Sequence, residues 1–204
     1  MNPRQQGESM TRRIAIIQGH PDTTARHFCH ALVEAYLKGA QSSGFEVRLI
    51  DVAAMDFTLL RSKADFENGA PALSIIQAQD ALRWADHLVV FFPLWLGGMP
   101  ALLKAFFEQT FRPDFAFEYG EAGQVTRKHL TEKSAHVIVT MGMPAWIYRW
   151  FYCAHGVKAL ERNILAFCGI SPVRTSLIGS IENLSEAQRL RWLNSAQQYG
   201  VKGR

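Results

Sequence analysis

The run His87-Leu88-Val89-Val90-Phe91-Phe92-Pro93 leads directly into Leu94-Trp95-Leu96-Gly97-Gly98-Met99-Pro100, and this stretch constrains the fold more than any other. An apolar run without alternation fits a strand buried on both faces of a parallel sheet. Pro100 suits the first turn of a following helix, where its missing N–H costs nothing. The loop between them is apolar, aromatic and rich in glycine, which is unusual for a segment facing water. Ligands of open parallel sheets bind at the carboxyl ends of the strands. The loop is therefore expected to wall a site for a flat, partly apolar ligand.

The rest of the chain repeats the same rhythm. Residues 13–18 (Arg-Ile-Ala-Ile-Ile-Gln) read as a first strand. Phe28, Ala31, Leu32, Ala35, Tyr36 and Ala40 then fall at helical spacing, giving a helix to about Ser43 that Gly44 ends. Residues 46–51 predict a second strand, and residues 52–71 a long connection without a clear period. Leu73, Ile76, Ala81, Leu82 and Trp84 mark a second helix, and residues 100–111 a third. Residues 112–133 read as a second irregular section. Residues 134–140 predict a fourth strand, residues 145–167 a fourth helical region and residues 173–178 a fifth strand. A last helix starts near Ser185, where Ser185 and Gln188 form a capping-box pattern with Leu184 as the hydrophobic staple.

Five strands alternating with five helices predict an α/β fold built on a parallel sheet. The expectation is a flavodoxin-like three-layer sandwich with a five-stranded parallel sheet in the order 2-1-3-4-5. That order puts the ligand between strands one and three. Residues 1–11 read as a polar, disordered extension and residues 12–204 as one domain without repeats or linkers.

Composition narrows the function classes. The formal net charge of +4 comes with no Lys/Arg stripe, so no nucleic-acid partner is expected. Cys29, Cys153 and Cys168 are odd in number and show no metal spacing, which predicts reduced, inert thiols in a cytoplasmic protein. No apolar run approaches the ~20 residues of a membrane span, and no metal site is expected from the histidines or carboxylates.

The loop after strand one, residues 20–27, ends at a helix N-terminus, where free N–H groups and the helix dipole favour a phosphate. Thr23 and Thr24 add hydroxyls, and Arg26 and His27 can add charge. The plainer alternative is that Asp22 or Thr24 only caps the helix. No GxGxxG or GxxxxGK[ST] pattern is present.

Gly19-His20-Pro21-Asp22 with Thr24, Phe91-Phe92-Pro93-Leu94-Trp95 with Gly98 and Pro100, and Phe115-Ala116-Phe117 together resemble the quinone reductase family of flavodoxin-like flavoproteins. That family includes NAD(P)H:quinone oxidoreductases, drug-activity modulators and ancillary subunits of potassium efflux systems. The resemblance runs from about residue 12 to residue 181. It implies a flavin, FAD favoured over FMN, with its phosphate on Thr24, Ala25, Arg26 and His27 and with His20 beside the phosphate or ribityl chain. The isoalloxazine edge would lie along Pro93, Leu94, Trp95, Leu96 and Gly97, meeting backbone N–H groups. Thr140, Met141, Gly142 and Met143 would form the second flavin loop, where the family usually carries two adjacent glycines.

The implied reaction is ping-pong. NAD(P)H gives a hydride to flavin N5 and leaves, and a quinone or similar planar acceptor takes its place. Tyr148 or Tyr152, together with His155, would stabilise charge on the reduced flavin. The plainer reading of His155 is a helix-surface or core histidine. Phe106, Phe107 and Phe111 read as core or interface. The cluster Trp146, Tyr148, Trp150, Phe151 and Tyr152 reads as part core, part platform at the interface of a homodimer. The alternatives are a flavodoxin-like electron carrier, disfavoured by the basic charge, and a regulatory partner of a membrane transporter bound at the membrane periphery.

Overall fold

The computed structural model describes residues 11–121 and 123–204. The extension expected over residues 1–11 lies outside the described residues, apart from an exposed Thr11. Five strands form one parallel sheet: β1 (Arg13–Gln18), β2 (Glu46–Asp51), β3 (His87–Pro93), β6 (Ser134–Thr140) and β7 (Val173–Ile178). Their spatial order is β2-β1-β3-β6-β7, which is the expected 2-1-3-4-5. β1 and β3 are neighbours, with Ile14 opposite His87 and Gln18 opposite Phe91. Every residue of β3 is buried, as its unbroken apolar run demands.

Alternate side chains of the strands feed two cores. Ile14, Ile16, Val89, Phe91 and Ile138 pack against α1 (Phe28–Ser42) and α7 (Glu186–Val201). Ala15, Ile17, Leu88, Val90, Phe92, Val137 and Val139 pack against α3 (Leu73–Trp84) and α4 (Ala101–Thr110). The pleat thus sends successive residues to opposite faces, and helices cover both. Phe106, Phe107 and Phe111 all lie in the second core. Pro100 sits at the N-cap of α4, one position before the first helical turn. Ser185 caps α7 through a complete capping box with Gln188.

Three expectations need correction. The connection after β2 contains a 3-10 turn (Val52–Ala54) and a short helix, α2 (Lys63–Asn68), capped by Ser62. The section 112–133 contains an antiparallel pair, β4 (Phe117–Tyr119) with β5 (Val125–Lys128). The helical region 145–167 is broken into α5 (Ala145–Trp150), α6 (His155–Lys158) and a π-helical stretch (Ala159–Leu165). The break falls where Cys153 and Ala154 take left-handed backbone, with φ of 51° and 49°. Two consecutive residues of that hand cannot continue a right-handed helix. Among the described residues no helix is long and apolar enough to cross a membrane.

Candidate functional site

The loops after β1, β3 and β6 meet at the carboxyl edge of the sheet, tied by backbone hydrogen bonds. Gly19 N–H donates to Phe91 O (2.7 Å), and Leu94 N–H donates to Thr140 O (2.7 Å). Met141 N–H donates to Ile178 O (2.9 Å), and Met141 O accepts from Ile181 N–H (3.2 Å).

In the first loop His20 is buried and accepts from Asp22 N–H at Nδ1 (3.2 Å). This fixes the neutral tautomer with its proton on Nε2. Burial, reinforced by neighbouring His27 and His30, lowers the His20 pKa to about 4. His20 stacks on His27, ring centroids 4.1 Å apart, and His30 lies 4.9 Å away. His30 Nδ1 accepts His27 N–H (3.0 Å), which locks the helix entry.

The hydroxyl and N–H of Thr24 were expected at a phosphate, but both are taken by Asp22 Oδ1, at 2.6 and 2.7 Å. Asp22 Oδ2 also meets His27 Nε2 at 2.6 Å. Bonds from Thr24, then His27, hold the Asp22 carboxyl well below the ordinary carboxylate range. The Arg26 guanidinium turns along the helix to Glu34. Neither Asp22 nor Thr24 caps α1, whose N-cap is His27 with His30 completing a capping box, and other donors in the loop stay open. Among the described residues, the amides of Thr23, Ala25 and Arg26 have no acceptor. The loop therefore fits an anion through main-chain N–H groups at the start of α1 rather than through Thr24 or the Arg26 charge.

The second loop is a two-residue hairpin. Trp95 N–H donates to Gly98 O (2.9 Å), and Gly98 N–H donates to Trp95 O (3.0 Å). Its central residues, Leu96 and Gly97, have φ of 47° and 79°. Leu96 is a fully exposed apolar residue in left-handed backbone, the kind of local strain that collects at binding sites. Pro93 is buried and Leu94 partly buried. The Trp95 ring is half-exposed and meets His20 edge-on at 6.4 Å. Leu94 and Trp95 have committed their N–H groups, so the amides available on this wall are those of Leu96 and Gly97.

The turn is held from behind. Tyr148 is buried; its hydroxyl donates to Gly97 O (2.9 Å) and accepts from Val157 N–H (3.2 Å). Burial raises its pKa, so the phenol stays protonated at neutral pH. A Cβ on Gly156 would lie 2.1 Å from Gly97 O, so only glycine permits this approach. Tyr152 and His155 are exposed and flank the left-handed pair Cys153 and Ala154.

On the third loop Thr140 and Met141 are buried, while Gly142 is exposed and Met143 half-buried. A Cβ on Gly142 would meet Glu182 at an ordinary 3.6 Å. Glu182 thus joins the rim without any signal in the sequence. His30 was also missed; its spacing of three from the N-cap His27 is the signal that reveals it. Gln18 was missed as well: buried at the end of β1, its Oε1 accepts His20 N–H (3.4 Å).

Comparison with known proteins agrees with this fold. The sequence model for the family described as "Flavodoxin-like fold" (Flavodoxin_2) matches residues 12–199. The chain is 27% identical to NAD(P)H dehydrogenase [quinone] 1 of Rattus norvegicus, over 89% of this chain and 74% of that protein. It is 34% identical to FMN-dependent NADH:quinone oxidoreductase 1 of Hahella chejuensis, over 57% of this chain and 54% of that one. Among solved structures, Smu.1420 from Streptococcus mutans superposes with a TM-score of 0.78 at 31% identity, covering 93% of this chain and 99% of its own. The chain belongs to the Flavodoxin_2 family.

Proposed function

We propose that the chain is a flavin-dependent NAD(P)H:quinone oxidoreductase, in which NAD(P)H and a quinone or similar planar acceptor occupy one open face in turn. The observation that carries this reading is the convergence of the three loops beside the switch between β1 and β3, with half-exposed Trp95 over buried His20. Two relatives named as quinone reductases support the substrate class. Relatives whose names specify a flavin specify FMN, so the preference for FAD gains no support.

A flavin held by these loops would supply the hydride chemistry. The protein's part is to hold and orient. Open amides of Thr23, Ala25 and Arg26 would hold the phosphate, with neutral His20 as the adjoining wall. The Leu96 and Gly97 amides would meet the polar rim of the ring, and Thr140, Met141, Gly142 and Met143 would close the far side. Tyr148 positions the Gly97 carbonyl rather than touching the flavin, because both faces of its hydroxyl are already used. Tyr152 Oη and the His155 ring nitrogens are the exposed donors that can hold a proton opposite developing negative charge. Exposed Trp146, Trp150 and Phe151 support a second copy of the chain as the cover of this face. The free thiols, in turn, support a reducing, cytoplasmic setting.

The test is anaerobic addition of NADH or NADPH to purified, flavin-loaded protein. The yellow colour should bleach rapidly and return on adding a quinone. Mass spectrometry of the released cofactor should identify FMN. Failure to bind any flavin ends the proposal; flavin that binds but does not bleach points instead to a carrier.

A further inference from the structure

The far end of the sheet carries a different set of groups. Two clefts open near the amino-terminal ends of β3, β6 and β7. One, of about 230 Å³, has Arg12, His87, Ser134, Arg174, Lys202 and Arg204 as its polar lining. The other, of about 400 Å³, is lined by His136, Arg174, Thr175, Ser176, Tyr199 and Arg204. Arg174 and Arg204 belong to both, so the two are parts of one surface.

Four cations, Arg12, Arg174, Lys202 and Arg204, meet there. Among the described residues none of them forms a salt bridge. No Asp or Glu lines either cleft. Asp86, next in sequence to His87, is already held by Arg13, with Nη2 to Oδ1 at 2.8 Å and Nε to Oδ2 at 3.3 Å. The carbonyl end of α7 offers about half a negative charge. Four cations exceed that, so capping the helix does not account for them.

Two buried imidazoles border the cations. His87 is 2% exposed, and its Nδ1 lies 2.8 Å from Ser134 Oγ. Ser134 Oγ also accepts from Arg12 Nη2 at 3.0 Å, which ties the imidazole to the cation cluster. Among the described residues His87 Nε2 has no partner. His136 is 4% exposed; its Nε2 lies 2.9 Å from Ser176 Oγ, and its Nδ1 likewise has no partner. Burial first, then the cations Arg12 and Arg174 and neighbouring His136, lower the His87 pKa to about 3. The positive field is therefore supplied by arginine and lysine, not by titrating histidine.

We infer that this cleft is a second binding site, for a small phosphate-bearing anion gripped by Arg12, Arg174, Lys202 and Arg204. Planar guanidinium forks match phosphate oxygens two at a time. The smaller cleft lies below the usual volume of about 300–1,000 Å³ for drug-sized ligands, so the ligand is compact. The seven residues of β3, at about 3.3 Å each, put the site roughly 20 Å from the Trp95 loop. It is distinct from the flavin loops and does not depend on their assignment.

The test uses the full chain with ¹⁵N-labelled histidine, titrated with inorganic phosphate at constant ionic strength. Ring resonances of His87 and His136 should move saturably, while those of His20, His27 and His30 stay fixed in flavin-loaded protein. Arg174→Gln should weaken the response about tenfold or more, and exposed Lys202→Gln should weaken it less; a thermal melt confirms that each variant is folded. The inference is overturned if the His87 and His136 signals do not move, if chloride moves them equally, or if Arg174→Gln responds like the parent. Pelleting with phosphatidylserine vesicles, without any response to inorganic phosphate, would instead make the patch a membrane contact and also overturn it.

Discussion

Tyr148 shows how one side chain can serve the site without entering it. Its hydroxyl joins the Gly97 carbonyl of one loop to the Val157 amide of another. Tyr148→Phe removes a donor and an acceptor at once and leaves buried groups unpaired. It should lower stability by about 1–3 kcal/mol, measured by urea unfolding, and should loosen the 95–98 turn. Tyr152→Phe and His155→Ala touch exposed groups and should leave stability almost unchanged. Each should slow NADH-dependent bleaching by about 10²-fold if it stabilises developing charge; bleaching at the parental rate with a parental pH profile would remove that residue from the chemistry. Leu96 gives the opposite case: it is fully exposed and bears left-handed backbone, so Leu96→Gly should not destabilise the fold. Sequence could name Tyr148 as a candidate but not its partners, because Gly97 and Val157 become neighbours only when the helical region breaks. The thiols divide in the same way. Burial pushes Cys29 and Cys168 up to about 12, whereas Cys153 is exposed, so the expectation of inert thiols fits only the first two. Iodoacetamide should therefore modify one thiol quickly in the native protein and all three in urea, as read by mass spectrometry.

Elements with a long, regular hydrophobic period were legible, and short or strained ones were not. α1, α3, α4 and α7 were each predictable from spacing and end signals, and the Ser185–Gln188 box formed as the sequence indicated. Ser185→Ala should therefore cost about 1 kcal/mol, seen as a lower thermal midpoint. The β4–β5 pair was hidden because strands of three and four residues carry too few alternations to register. The break between α5 and α6 was hidden for a different reason. Cys153 and Ala154 carry no intrinsic preference for left-handed backbone, and tertiary contacts impose it: Ala154 N–H bonds to Tyr148 O at 3.0 Å, and Gly156 seats against Gly97. Gly156→Ala would drive a methyl into that carbonyl and should displace the whole 95–98 turn. The structural price of placing Tyr152 and His155 beside the Trp95 loop is thus an interrupted helix, which no periodicity reveals.

At the scale of the whole molecule, topology was the most legible feature, because five strands separated by helices leave few ways to wind a parallel sheet. The charge state of the interior was not, since it depends on burial that only the fold creates. The sheet carries neutral imidazoles at both ends: His20 and His30 by the loops, His87 and His136 by the basic cleft. All four have lowered pKa values, with burial the first cause of each, His20 to about 4 and His87 to about 3. Unfolded, these histidines titrate near 6.5. Between that value and the folded ones, the unfolded chain binds protons that the native chain refuses. Stability should therefore be fully present above about pH 6.5 and fall as the pH drops toward 4. Each histidine can add a slope of up to about 1.4 kcal/mol per pH unit within its window. Asp22 and Asp86, whose carboxyls are held low by Thr24 and His27 and by Arg13, add a further loss in the same direction at still lower pH. Urea unfolding at successive pH values from neutral downward should show the midpoint falling before the carboxylates begin to titrate. His87→Asn should flatten part of that fall, and a midpoint independent of pH across the histidine range would show that these imidazoles are not held neutral by the fold.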